Sequence, residues 1–248
     1  MKYCLIGEKL SHSKSKVLHE KLGLSYDLVE IGKDGLENFV KNSDYDGFNV
    51  TIPYKKAVIP YLDELDASAK EIGAVNTVKR EGGKLKGYNT DFYGLEYMLK
   101  KADISLEGKS VLILGTGGAS ETARAVAKLG GAKSINFVSR FGDINYENCY
   151  ERQETEIIIN ATPVGMYPRE SEKPIDLKRF KRLAGVADCI YNPKETLLVK
   201  EGKSLGIKSV GGLYMLVVQG VKAEEIWTGK KFDNALIDGL YDYMESKI

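Results

Sequence analysis

Cysteine is scarce in this chain and badly spaced for cross-linking. Cys4, Cys149 and Cys189 are odd in number, lie far apart and form no C-x-x-C pair. That argues against a disulfide framework or a zinc site and leads us to expect a reduced, cytoplasmic protein. Charge of one sign is also lacking: 36 basic and 35 acidic side chains leave a formal net charge of +1. Such a balance gives no reason to expect nucleic acid or an anionic membrane as partner. The one dense basic stretch, Lys178, Arg179, Lys181 and Arg182, is interleaved with Phe180 and Leu183 and reads as a solvated helix face. No long hydrophobic run occurs; Leu213 to Val218 falls far below the roughly 20 residues of a membrane span. The opening Met1 to Gly7 reads as a first strand, not a signal peptide. The two histidines, His12 and His19, are read as structural.

What is present is an alternation of strand and helix signals. The 248 residues suffice for one large domain or two smaller ones. Strands are expected at Lys2–Ile6, Tyr26–Ile31 and Gly47–Thr51, the last ended by Pro53. Helices are expected at Val17–Leu22, capped by Ser13 or Ser15 and stopped by Gly23, then at Leu36–Lys41 and Asp66–Ile72. Ala74–Arg80 and Lys84–Tyr88 read as a hairpin about Glu-Gly-Gly. A helix follows from Phe92, with Thr90 as its cap. A second series begins after Gly108: strands at Ser110–Leu114, Ser134–Ser139, Glu156–Asn160, Gly185–Ile190 and Lys208–Val210, with an alanine-rich helix at Ser120–Leu129. Phe141 to Thr155 is too short for a long crossover helix. Leu213–Trp227 and Asn234–Ser246 read as terminal helices. The pattern predicts an α/β protein of two domains with mostly parallel sheets, the second Rossmann-like and doubly wound.

Only the second series carries a glycine-rich loop. Gly115-Thr116-Gly117-Gly118-Ala119-Ser120 follows an apolar strand and opens a helix, where free N–H groups and the helix dipole favour a pyrophosphate. Ser120 stands where the third glycine of G-x-G-x-x-G is usual. At the end of the next strand an acid would bind the ribose of NAD; here Ser139 and Arg140 follow Val138, and a guanidinium suits a 2′-phosphate. NADP is therefore expected. The loop Asn160 to Met166, with Thr162, reads either as a contact along the nicotinamide ribose or as a plain turn.

The polar residues of the first series fall in three blocks: Asn49-Val-Thr51-Ile-Pro-Tyr-Lys55, Gly73-Ala-Val-Asn76-Thr77, and Asn89-Thr90-Asp91. Beside a nucleotide loop, such a constellation points to hydride transfer. Reduction of a ketone needs an acid at the oxygen. A free lysine titrates at about 10.4 and is an ammonium near neutral pH, so Lys55 suits that role. Asp91 is assigned to orientation and proton relay.

These blocks, with His12-Ser13-Lys14-Ser15, Tyr191-Asn-Pro193 and Gly212 to Gln219, make the chain similar to the shikimate dehydrogenase family over nearly its whole length. The resemblance implies NADP-linked interconversion of 3-dehydroshikimate and shikimate, a step toward aromatic amino acids. It implies that Ser13, Ser15 and Tyr191 hold the substrate carboxylate. Asn49, Thr51, Asn76, Asp91 and Gln219 would bind the ring hydroxyls, and Lys55 with Asp91 would form the catalytic pair. Gly115, Thr116, Gly117, Gly118, Ala119, Ser139, Arg140, Thr162, Met166 and Gly212 would contact NADP. The implied domains are 1–93 with 212–248 for substrate and 94–211 for NADP, in a monomer or homodimer without a metal. Four positions depart from the family pattern: Lys16 replaces a proline, Ser139 and Phe141 flank the kept Arg140 where Asn-Arg-Thr is usual, and Pro163 replaces a serine. An NAD-linked quinate enzyme and a non-catalytic NADP-binding regulator are the alternatives.

Overall fold

The computed structural model describes residues 1–11 and 13–248; His12 lies outside the described residues. The chain forms two compact units, Met1–Asp91 with Val217–Met244, and Phe92–Leu216 with Glu245–Ile248. It begins with β1 (Tyr3–Gly7), α1 (Ser15–Lys21), β2 (Tyr26–Glu30), α2 (Leu36–Asn42) and β3 (Gly47–Val50). Then come the one-turn α3 (Tyr54–Ala57), a short β4 (Glu64–Leu65), α4 (Ala67–Ile72), and the hairpin β5 (Thr77–Glu81) and β6 (Lys84–Tyr88). After α5 (Asp91–Lys101) follow β7 (Ser110–Leu114), α6 (Gly118–Leu129), β8 (Ser134–Val138) and β9 (Ile157–Asn160). The chain ends with β10 (Gly185–Asp188), α7 (Leu197–Ser204), β11 (Lys208–Val210), α8 (Leu213–Thr228) and α9 (Asn234–Glu245). No helix of the described residues is long and apolar enough to cross a membrane.

The first sheet has the order β2-β1-β3-β5-β6-β4. It is mixed: β1 runs parallel to β2 and β3, whereas β5 is antiparallel to β3 and β6. Strand alternation sorts its core. Tyr3 and Leu5 point to one face, where they pack with Tyr26, Ala223 and Trp227. Cys4 and Ile6 point to the other, with Phe48, Val50, Val78 and Leu85. Trp227 of α8 stacks on Tyr3 with ring centroids 4.6 Å apart and donates from Nε1 to the Val78 carbonyl at 2.9 Å. The hairpin turns on Gly82 and Gly83, both at positive φ (58° and 80°), a conformation that glycine adopts without steric cost. One expectation fails at α1. Neither serine caps the helix; Lys14 holds the N-cap position without a side-chain bond, and Ser13 Oγ instead accepts from the Ser15 N–H at 3.2 Å in a local turn.

In the second unit all paired strands are parallel, in the order β11-β10-β9-β7-β8. β7 leads to β8 on one side, and the chain then returns to β9 on the other. The order therefore reverses between β7 and β9, and the loops leaving those two strands flank the switch point. Val111 and Ile113 pack with Leu95, Ala123 and Val126, while Leu112 and Leu114 pack with Val138, Ile158 and Leu198. Between β8 and β9 the regular structure is one 3₁₀ turn, Cys149–Glu151.

Two features of this packing give testable consequences. A Cβ on Gly47 would stand 2.4 Å from Trp227 Nε1 and 2.9 Å from the Val78 carbonyl oxygen. Gly47→Ala should therefore cost about 1–3 kcal/mol in urea unfolding; unchanged stability would contradict the close approach. Asp188, fully buried at the end of β10, has no cationic partner among the described residues; burial pushes its carboxyl up to about 6, against the opposing effect of bonds from Thr196, Ile190 and Asn160. The unfolded carboxyl titrates near 3.9, so between about pH 4 and 6 the folded chain keeps a proton that the unfolded chain has lost. Stability from this group thus falls as pH rises through that window, by about 3 kcal/mol. The difference in unfolding free energy between wild type and Asp188→Asn, measured from pH 4 to 7, should show this fall. A pH-independent difference would contradict it.

Candidate active site

Lys55 lies on α3, the single turn that follows Thr51-Ile52-Pro53. Three contacts fix this turn. The Tyr54 N–H donates to the Thr51 carbonyl at 2.9 Å, the buried Tyr54 hydroxyl donates to the Ile31 carbonyl, and the Lys55 carbonyl accepts from the Val75 N–H at 2.8 Å. Asp91 is the first residue of α5, where the helix dipole favours a carboxylate. Lys55 Nζ stands 2.6 Å from Asp91 Oδ2, with side-chain exposures of 18% and 8%. The ammonium–carboxylate pair is thus largely screened from water yet still reachable on the lysine side.

Beneath the pair runs a buried amide and hydroxyl network that joins all three polar blocks. Asn76 Oδ1 accepts from the Thr90 N–H at 2.7 Å, and its Nδ2 donates to Thr90 Oγ1 at 2.9 Å. Asn49 donates from Nδ2 to the Asn76 carbonyl at 3.1 Å and to Thr77 Oγ1 at 2.9 Å, while its Oδ1 accepts from the Tyr26 hydroxyl at 2.6 Å. Asn89 donates to the Ala74 carbonyl at 2.9 Å. Buried polar groups need partners, and these satisfy one another. Both N–H groups of Asn49 are committed within the protein, where they hold Asn76 and Thr77. Thr90 serves the same network through both its N–H and its hydroxyl.

The remaining residues expected at the substrate lie as follows. Ser13 and Thr51 are half-buried, and Ser15 and Gln219 are buried; all four belong to the first unit. Tyr191, half-buried in the loop after β10, belongs to the second. Sequence reasoning overlooked Tyr26 and Thr77 and gave Thr90 only a capping role. The last two sit inside the polar blocks and were within its reach. Tyr26 lies in β2, outside the polar blocks. His19 is fully buried and stacks on Tyr26 with centroids 4.3 Å apart, so it is packed within the core.

The residues expected at the cofactor all lie in the second unit. Gly115 adopts φ +103°, and a Cβ there would stand 3.0 Å from Thr162 Cγ2 and 3.1 Å from Ser120 Oγ. The absent side chain at Gly115 makes room for Ser120, which explains how this turn manages without the third glycine. Gly117 holds the N-cap of α6, and a Cβ on it would meet nothing within 4 Å, so this side of the turn is open. Thr116 is exposed, and the N–H groups of Gly118 and Ala119 start the helix with no carbonyl a turn behind them. Arg140 is exposed just past β8, and Ser139 is half-buried. Phe141 is 95% exposed. Thr162 is half-buried and Met166 exposed in the loop after β9. Gly212 is buried, and a Cβ there would stand 2.3 Å from the Cys189 carbonyl oxygen, so only glycine fits. An open helix start, small residues at the turn and a nearby guanidinium fit a dinucleotide with a 2′-phosphate.

Residues 5–78 match the family model described as "Shikimate dehydrogenase substrate binding domain". A shikimate dehydrogenase (NADP(+)) of Clostridium perfringens is 41% identical, covering 98% of each chain. The crystal structure of shikimate dehydrogenase 1 from Peptoclostridium difficile superposes with a TM-score of 0.92 at 38% identity, covering 99% of this chain and 98% of that one. The Thermus thermophilus shikimate 5-dehydrogenase, solved in complex with NADP(H) and shikimate, gives 0.86 at 30% identity, covering 98% and 99%. Identity of this order over the full length, joined to a lysine–aspartate pair and an open glycine turn, leaves one conclusion: the chain belongs to the shikimate dehydrogenase family.

Proposed function

We propose that this protein reversibly reduces 3-dehydroshikimate to shikimate with NADPH. In this reading residues 1–93 with 212–248 bind substrate and residues 94–211 bind NADP. The observation that carries the reading is the Lys55–Asp91 contact at 2.6 Å. It sets a proton donor beside a fixed carboxylate in a largely desolvated position, where a charge acts more strongly on a developing oxyanion than it does in water.

NADPH, when bound, supplies the hydride that adds to the carbonyl carbon. The lysine ammonium supplies the proton that the carbonyl oxygen gains, so that one hydride and one proton convert ketone to alcohol. In reverse, the neutral amine accepts the hydroxyl proton. Asp91 holds Nζ in place and offers a route for the proton, and Asn76 with Thr90 keeps the start of α5 from shifting. Ser13, Ser15 and Tyr191 carry hydroxyls suited to a carboxylate, and Thr51 and Gln219 carry groups suited to ring hydroxyls. Arg140 is placed where an NAD enzyme would carry an acid, which supports NADP.

Nicotinamide absorbance with each substrate tests this. Lys55→Ala should lower kcat for reduction by about 10²–10⁴. Shikimate oxidation should accelerate toward alkaline pH, because that direction begins from the unprotonated amine. A Lys55→Ala enzyme near the wild-type rate, or an oxidation rate that falls with rising pH while chemistry is rate-limiting, would contradict the assignment.

A further inference from the structure

Asp188 is a buried carboxylate that the proposed chemistry does not use. Its setting is unusual, since three hydrogen-bond donors surround it and none carries a charge. Oδ1 accepts from Asn160 Nδ2 and from the Ile190 N–H, each at 3.0 Å, and Oδ2 accepts from the Thr196 hydroxyl at 2.7 Å. A carboxylate satisfied in this way still costs the fold, because removing its charge from water is only partly repaid by neutral donors.

Asp188 and Asn160 face each other at the C-terminal ends of neighbouring parallel strands β10 and β9. With its Nδ2 drawn to Asp188, Asn160 presents Oδ1 to the following loop. There it accepts from the Thr162 N–H at 3.0 Å and from the Thr162 hydroxyl at 2.7 Å. The Thr162 hydroxyl in turn accepts from the Val164 N–H at 3.2 Å. The hydroxyl is thereby committed to the loop, and the threonine's methyl is turned toward Gly115, where even a Cβ would stand only 3.0 Å away. A row of side chains thus runs across three strand ends, from β10 through β9 to the glycine turn after β7. Its far end is anchored as well, because Thr196 caps α7 by accepting from the Val199 N–H at 3.3 Å.

We propose that Asp188 is a positioning residue for dinucleotide binding: through Asn160 and Thr162 it buttresses the glycine turn at Gly115, a turn it does not touch. The reason is geometric. An amide can rotate to exchange its oxygen and nitrogen, and Asp188 offers only acceptors, so it fixes the orientation of Asn160. With Asn160 reversed, an N–H would face the Thr162 N–H, and the support behind Gly115 would be lost. This inference rests on the NADP reading of the second unit.

The test is NADPH affinity, read from the fluorescence of the bound nicotinamide with no substrate present. Asp188→Ala leaves Asn160 Nδ2 its longer bond, to the Val164 carbonyl at 3.5 Å, and should weaken binding by about tenfold, the effect of losing one or two buried hydrogen bonds. Asp188→Asn can keep an acceptor toward Asn160 and Ile190 while donating to Thr196, and should bind NADPH within about twofold of wild type. A role confined to stability would lower the melting temperature of Asp188→Ala but leave its affinity unchanged, which would overturn the proposal. Equal loss in Asp188→Ala and Asp188→Asn would overturn it too, since rescue by the amide is required. If Asp188→Ala does not fold, Asn160→Ala carries the test. Its fully buried side chain is the link between Asp188 and Thr162; weakened binding supports the buttress, and wild-type affinity overturns it. A wild-type protein that binds no NADPH would instead refute the NADP reading itself.

Discussion

The contact between Lys55 and Asp91 is the constraint that the polar network of the first unit is built to hold. An ammonium and a carboxylate brought together out of water gain little net stability, because desolvation offsets their attraction. Such a pair holds a working geometry only if the backbone beneath each partner is fixed independently. Here the lysine rides on one helical turn tied to Ile31 and Val75, and the aspartate starts a helix whose preceding residue is held by Asn76. The three polar blocks of the sequence are therefore one device. The asparagines and threonines make the frame, and the charged pair is what the frame presents.

The second unit follows a related logic with different chemistry. Its glycine turn gains its shape from what is missing: no side chain at Gly115, so that Ser120 and Thr162 close in, and none at Gly117, so that one side stays open. Turns of this kind need support from behind, and the strand ends supply it. In both units a buried asparagine at a strand end, Asn49 on β3 or Asn160 on β9, converts sheet register into the placement of a loop.

Much of this was legible in the sequence. The strand Ser110–Leu114 was placed to the residue, because an apolar run bounded by charge and glycine admits few other readings. The helix α7 was missed: Gly202 sits within it and weakens its signal. That glycine is required because a Cβ would meet Ser209 Oγ at 2.2 Å, a tertiary demand that no local pattern displays. At α1 the serines suggested a cap, yet the hydroxyl of Ser13 turned to a different N–H. Lys55, Asp91, Asn49 and Asn76 were singled out as polar groups. That a tyrosine from another strand holds Asn49 could not be read from spacing, since strand pairing alone brings Tyr26 to it.

The central claim is that Lys55 and Asp91 act as one acid–base unit. A double-mutant cycle on kcat for NADPH-linked reduction of 3-dehydroshikimate tests it most directly, with Lys55→Ala, Asp91→Asn and their combination. Partners in a single unit lose their contribution together, so the double variant should be about as slow as the slower single variant. Losses that multiply would show the two side chains acting independently and would contradict the account.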